Sequence, residues 1–183
     1  MAAVERLLML LTVIALLGIL YTADKHLPGW QADALPTVDR VVVDKASRLI
    51  YLLKEGATVR HYRMGLGFAP EGDKTREGDG RTPEGLYRLD WRNPNSRYHL
   101  SLHVSYPNAA DRAAAEARGE SPGGAIMIHG LPNGMGWLPW KYRGKDWTLG
   151  CMAVTNREME EIYHAVPDGT PIEIHQGPIV LSP

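Results

Sequence analysis

One cysteine and one histidine dominate what this sequence could do. A thiol becomes a useful nucleophile only as the thiolate, so a catalytic cysteine needs a base nearby and donors for the charge that develops on the attacked carbonyl. Cys151 is the sole cysteine in the chain, and His129 ends a short apolar run, Ile126-Met127-Ile128-His129-Gly130. The cysteine lies in Thr148-Leu149-Gly150-Cys151-Met152. Glycine beside a nucleophile lets the backbone pass close to a substrate carbonyl and can take positive φ, turning N–H groups inward. Gly130 follows the histidine directly, and Gly150 precedes the cysteine. The plainer alternatives are a small buried thiol and a hydrogen-bonded histidine at a strand end.

Those residues must be held by the segments around them. Val38 to Val43, Arg48 to Leu53 and Thr58 to Gly65 are β-branched or aromatic runs separated by Asp44-Lys45-Ala46-Ser47 and Glu55-Gly56, the pattern of an antiparallel meander. Further strands are expected at Gly85 to Asp90, Tyr98 to Ser105, Ala125 to His129 and Pro171 to His175. The charged, glycine-rich Pro70 to Thr82 predicts a mobile surface loop. Alanine-rich Asp111 to Arg118 predicts a helix. Thr155-Asn156-Arg157-Glu158 has the spacing of a capping box and predicts a second helix running to about Val166. The fold class is α+β, predominantly β, with a few short helices. Trp137, Trp140 and Trp147 are expected in a loop over the cleft, as core or lid packing.

The chain of 183 residues suits one well-buried domain plus a targeting segment. Arg6 precedes an apolar run from Leu7 to Leu20, which predicts export. Tyr21 occupies the place where a cleavage site wants a small residue, which favours an uncleaved anchor. The expected organisation is a signal or membrane anchor over 1–23, a linker over 24–37, a catalytic domain over 38–176 and a tail over 177–183. With a single cysteine there is no internal disulfide, so the core alone must stabilise the domain. Net charge is −1 with no basic block, which argues against nucleic acid as a partner. His99 and His103 share a strand face, but no close ligand pair accompanies them, so neither metal nor cofactor is expected.

The pairing of His129-Gly130 with a later Thr148-x-Gly150-Cys151-Met152 resembles the signature of the YkuD-type L,D-transpeptidases. Arg81-Thr82-Pro83-Glu84-Gly85-Leu86-Tyr87 is similar to a strand entry of that family, and Val42-Val43-Asp44-Lys45 to its opening hairpin. Tyr98 to Asn108 looks like a substrate-side segment of the branch that includes enzymes detaching lipoprotein from peptidoglycan. The resemblance covers most of Val38 to His175 and implies a YkuD-like sheet or sandwich.

It also implies cysteine-dependent acyl transfer on peptidoglycan stem peptides, in cell-wall cross-linking, remodelling or cell shape. Cys151 would attack the carbonyl of the third residue, with His129 as base, its ring oriented by a backbone carbonyl for which Gly130 is the candidate, and with the N–H groups of Gly150 and Cys151 as oxyanion donors. Thr148, Leu149, His103 and Arg81 are the substrate-side candidates. The partners would be stem peptides, peptidoglycan-linked lipoprotein and the membrane. The implied location is the periplasm or cell exterior, anchored to the inner membrane. Leu149 replaces a histidine common in the family, and Ala153 and Val154 replace its polar residues after the cysteine. A hydrolytic L,D-carboxypeptidase or amidase, a non-catalytic peptidoglycan-binding module and a cysteine peptidase on ordinary L-peptides stay open beside the transpeptidase.

Overall fold

The computed structural model describes residues 2–26 and 35–179. A long helix, α1 (Ala2–His26), is followed by β1 (Arg40–Asp44), β2 (Leu49–Lys54), β3 (Ala57–Arg63), β4 (Gly85–Ser96), β5 (His99–Val104), α2 (Ala109–Ala117), β6 (Met127–His129), α3 (Pro139–Tyr142), β7 (Met152–Ala153), α4 (Asn156–Ala165) and β8 (Thr170–His175). The first three residues assigned to the linker are thus helical, and 27–34 lie outside the described residues. Within α1, Val4–Thr22 is long and apolar enough to cross a membrane, and its side chains are exposed.

All eight strands form one sheet in the order β3-β2-β1-β8-β4-β5-β6-β7. The expected meander is present, with β1 antiparallel to β2 and β2 to β3. The last strand, β8, is inserted in the middle, parallel to β1 and antiparallel to β4. Side chains alternate along each strand, and register aligns Val41 and Val43 with Leu52 and Ile50 on one side and with Ile172 and Ile174 on the other. The same face continues through Leu89, Val104, Leu102, Ile128 and Met152. Met159, Ile162 and Val166, on and just after α4, join this cluster at 0% exposure. Each such side chain contributes roughly 1.5–3 kcal/mol through burial.

The sheet curls until its two ends meet. Just past β3, Gly65 and Ala153 of β7 exchange backbone hydrogen bonds of 2.8 and 2.9 Å, and Gly67 bridges to Thr148. Glycine is required at both points. A Cβ on Gly65 would come within 2.1 Å of the Lys145 carbonyl oxygen, and one on Gly67 within 2.0 Å of that of Gly80.

The segment 70–84 is irregular, as expected, but it is pinned rather than loose. Lys45, 1% exposed, donates to the carbonyls of Gly72 (2.6 Å) and Thr82 (2.9 Å) and to Glu84 (2.8 Å). Lys74 donates to Asp79 (2.8 Å) and the Arg76 carbonyl (2.9 Å). Asp79 in turn accepts from the N–H groups of Thr75, Arg76 and Arg81. Composition alone cannot disclose these long-range anchors.

Candidate active site

The turn before β7 presents Cys151. Thr148 Oγ1 accepts from the Gly150 N–H at 3.1 Å and donates to the Cys151 carbonyl at 2.7 Å, so one hydroxyl spans the turn from both sides. Gly150 has φ +132°, and a Cβ there would lie 2.5 Å from the Arg81 carbonyl oxygen. The nucleophile turn is thereby pressed against the strand entry at Arg81-Thr82. Cys151 is half-buried, and its Sγ donates to the Ala125 carbonyl at 3.6 Å. Burial raises the thiol pKa, against opposing pulls from the Met127 backbone N–H and the charge of Lys74.

His129 ends β6, the strand beside β7. Parallel register pairs Ile128 with Met152 and His129 with Ala153, and alternation puts Cys151 on the His129 face, level with Met127. Strand spacing sets the Cα atoms of His129 and Cys151 roughly 8 Å apart, within reach for an imidazole and a thiol facing the same way. His129 is 3% exposed, and its Nδ1 lies 2.6 Å from the Gly130 carbonyl oxygen. Because a carbonyl only accepts, Nδ1 carries the proton and Nε2 the lone pair. Burial lowers the His129 pKa to about 4, although the Gly130 bond pulls the other way. At neutral pH the site therefore holds an uncharged thiol and an uncharged imidazole. The ring is framed by Tyr98, centroids 4.6 Å apart, and by Trp147 at 5.7 Å. The buried Trp147 indole N–H has no acceptor among the described residues.

Of the expected oxyanion donors, Gly150 is engaged within its own turn, and Gly130 orients His129 through its carbonyl as expected. The Gly150 N–H is taken by Thr148 Oγ1, and the Gly130 N–H by the carbonyls of Tyr98 (3.0 Å) and Leu100 (3.2 Å). The Cys151 N–H remains as candidate donor. Thr148, 5% exposed, is a scaffold for the turn rather than a substrate contact. Leu149 is 76% exposed at the mouth. Arg81 approaches through its backbone, while its guanidinium reaches the Asp73 carbonyl at 3.3 Å.

His103 pairs in register with Met127 on β6 and with Trp91 on β4, so Trp91, His103 and Met127 form one row across the sheet, and the Cys151 thiol lies by the Met127 backbone N–H at its end. A bulge in β4 between Leu89 and Trp91 sets Asp90 against His103 Nδ1 at 2.7 Å, and Trp91 stacks on the ring at 5.0 Å. Neither Asp90 nor Trp91 was legible as a site residue, because the bulge that turns them is a pairing property. His99 does not share this surroundings, since its ring pairs with Glu160 at 2.9 Å. No three His, Cys, Asp or Glu side chains among the described residues are grouped to hold a metal ion. Of the three loop tryptophans, Trp147 packs on His129 and Tyr142, whereas Trp137 and Trp140 are exposed. A cavity of about 640 Å³ lined by Arg60, Arg63, Arg143, Arg157 and the start of α4 does not include the thiol.

A curled sheet with a glycine-preceded cysteine in the turn just before its two-residue edge strand β7, and a carbonyl-oriented histidine on the neighbouring strand β6, is what the site presents. The chain belongs to the YkuD family of L,D-transpeptidase catalytic domains, whose model matches residues 38–174. It is 33% identical over 119 residues to the putative L,D-transpeptidase YafK of Escherichia coli, covering 63% of this chain and 38% of that protein. The chain thus corresponds to well under half the length of this curated relative. Its fold is similar to that of the helical cell shape determining protein Pgp2 from Campylobacter jejuni, with TM-score 0.60 and 24% identity over 91% of this chain and 57% of the other. It is also similar to Bd1075 of Bdellovibrio bacteriovorus, with TM-score 0.54 and 23% identity over 80% and 50%. The family model and the Escherichia coli relative both carry L,D-transpeptidase in their names, and the likeness to Pgp2 and Bd1075 is one of fold.

Proposed function

We propose that this protein is a cysteine-dependent acyl-transfer enzyme of the cell envelope that cleaves peptidoglycan stem peptides and passes the acyl group chiefly to water. The observation that carries this is the His129 tautomer. With Nδ1–H committed to the Gly130 carbonyl, Nε2 is left as proton acceptor on the face that Cys151 shares. In the proposed reaction Cys151 Sγ, bonded to the Ala125 carbonyl in this structure, exchanges that acceptor for Nε2. The Sγ proton passes to Nε2 as sulfur attacks the carbonyl carbon of the third, diamino-acid residue. The carbon–nitrogen bond then breaks, and the departing D-alanine or lipoprotein amine takes the proton from His129. Water, giving its proton to Nε2, attacks the thioester carbon, and Cys151 regains its proton as the carbon–sulfur bond breaks.

Water is favoured as acceptor because Leu149, 76% exposed, stands where relatives with a histidine offer a polar group next to the thiol. The fold likeness to a protein named for determining helical cell shape also fits trimming of stem peptides. The row Trp91, His103 and Asp90 serves as a substrate shelf beside the thiol. Cross-linking by transpeptidation uses the same residues with an amine in place of water.

The test is mass spectrometry of purified muropeptides after incubation with the full chain. Loss of D-alanine or release of a lipoprotein fragment is the expected result. New cross-links as the main product would replace hydrolysis with transpeptidation, and an unaltered substrate pool would reduce the protein to a binding module. Full turnover by Cys151→Ala would remove the nucleophile.

A further inference from the structure

The loop between β6 and β7 exposes apolar bulk that the site does not use. Met135, Trp137 and Trp140 are 38%, 50% and 68% exposed within a few residues of each other. They are presented rigidly. Met135, Leu138 and Lys141 N–H groups bond the carbonyls of Pro132, Met135 and Leu138, and Trp137 Nε1 donates to the Gly134 carbonyl at 3.0 Å. From Gly130 to Lys145 the chain contains Lys141, Arg143 and Lys145 and no acidic residue. Isolated exposed apolar side chains are ordinary, but a fixed cluster of this kind beside basic residues is a contact surface.

An independent observation says what covers it. Tyr21, at the end of the apolar stretch Val4–Thr22 of α1, lies against this loop, close enough that a Cβ on Gly134 would meet its Cδ2 at 2.9 Å. Tyrosine and tryptophan favour the headgroup level of a bilayer, where an apolar ring and a polar tip are both accommodated. The contact therefore sets Gly134 and its neighbours at the height where α1 would leave the membrane. Lysine and arginine near such a surface are drawn to anionic lipid.

We propose that Gly134–Lys145 is a membrane-contact surface, with Met135, Trp137 and Trp140 entering the interfacial layer of the bilayer that α1 crosses and Lys141 and Lys145 facing its anionic headgroups, while Arg143 is paired with Glu158. This rests on α1 remaining attached as an anchor. Two attachments in place of one fix the domain's orientation, and the mouth beside Cys151 is held at a set height over the lipid.

The test uses the full chain in vesicles of phosphatidylethanolamine and phosphatidylglycerol, with or without bromine on the acyl chains near the headgroup. Brominated lipid is expected to quench a substantial share of the emission of the five tryptophans. Trp137→Phe combined with Trp140→Phe is expected to abolish most of that quenching while the protein stays resistant to carbonate extraction. Equal emission from both vesicles in a carbonate-resistant protein overturns the surface and leaves the anchor standing. Extraction by carbonate overturns the anchor and the surface with it. Quenching in wild type that survives unchanged in the double variant assigns the lipid contact elsewhere and overturns the proposal. Quenching that does not grow with phosphatidylglycerol content removes the basic residues from it.

Discussion

Two clusters of buried polar groups flank Gly150, and they solve the problem of low dielectric in opposite ways. On the loop side, Asp79 is kept ionised beside Lys74 although the two side chains are only 7% and 3% exposed. Burial pushes the Asp79 carboxyl up, but the Lys74 ammonium and three backbone N–H groups outweigh it and hold the pKa at about 2. On the strand side, His129 has a single carbonyl partner, and burial holds its pKa at about 4. The thiol of Cys151 is moved the other way, upward, also by burial. A buried group stays charged only where partners surround it. The scaffold gathers its partners on the loop and leaves Cys151 and His129 neutral, so in the proposed reaction proton transfer accompanies attack instead of preceding it.

The sharpest break of this contrast separates turnover from thiol reactivity. His129→Ala is expected to lower turnover by about 10³-fold or more, the scale seen when a base is removed from a nucleophile–base pair. Alkylation of Cys151 by iodoacetamide at neutral pH should change only a few-fold, because no thiolate–imidazolium pair is there to lose. A parallel collapse of alkylation would show that the pair is preformed. On the loop side, Lys74→Met leaves the Asp79 carboxylate buried with its ammonium partner gone and should cost about 3–5 kcal/mol in urea unfolding. Adding Asp79→Asn should recover part of that loss.

Acid should strike the two clusters in different windows. His129 binds a proton near 6.5 in the unfolded chain and near 4 in the fold, so acidification through that range favours unfolding, by up to about 3 kcal/mol at its lower end. Asp79 contributes stability above the ordinary carboxylate range that disappears as pH falls from about 4 to about 2. Thermal melts should show the first slope vanish in His129→Gln while the second remains. The smallest expected effect is at the turn: Thr148→Val should cost about 1–3 kcal/mol by leaving the Gly150 N–H and Cys151 carbonyl without the hydroxyl, and Thr148→Ser much less. Equal melting of the two variants would deny the hydroxyl its bridging role.

The parts of the site that could be read ahead of the fold are those written in short stretches of chain. Cys151, His129 and the Gly130 carbonyl partner belong to two local motifs, and the meander and the capped α4 follow from local period and turn chemistry. The rest depends on pairing between distant segments. Nothing in Thr170–His175 tells that it inserts between β1 and β4. The bulge that brings Asp90 and Trp91 to His103 exists only once β4 and β5 are in register. Thr148 looked like a substrate contact because its motif is shared with a reactive centre, and only the two bonds made by its hydroxyl reveal a brace. The same bonds explain why Gly150 fails as an oxyanion donor.

The closure of Gly65 onto Ala153 has a consequence for the newly made chain. Strand β7 is two residues long, and half of its pairing comes from a segment laid down far earlier in the sequence. Contacts of that span form late, since the intervening loop must first lose its freedom. A chain whose sheet is not yet closed therefore carries Cys151 as an ordinary sulfhydryl, and the proposed chemistry waits until the last stitch of the sheet is drawn.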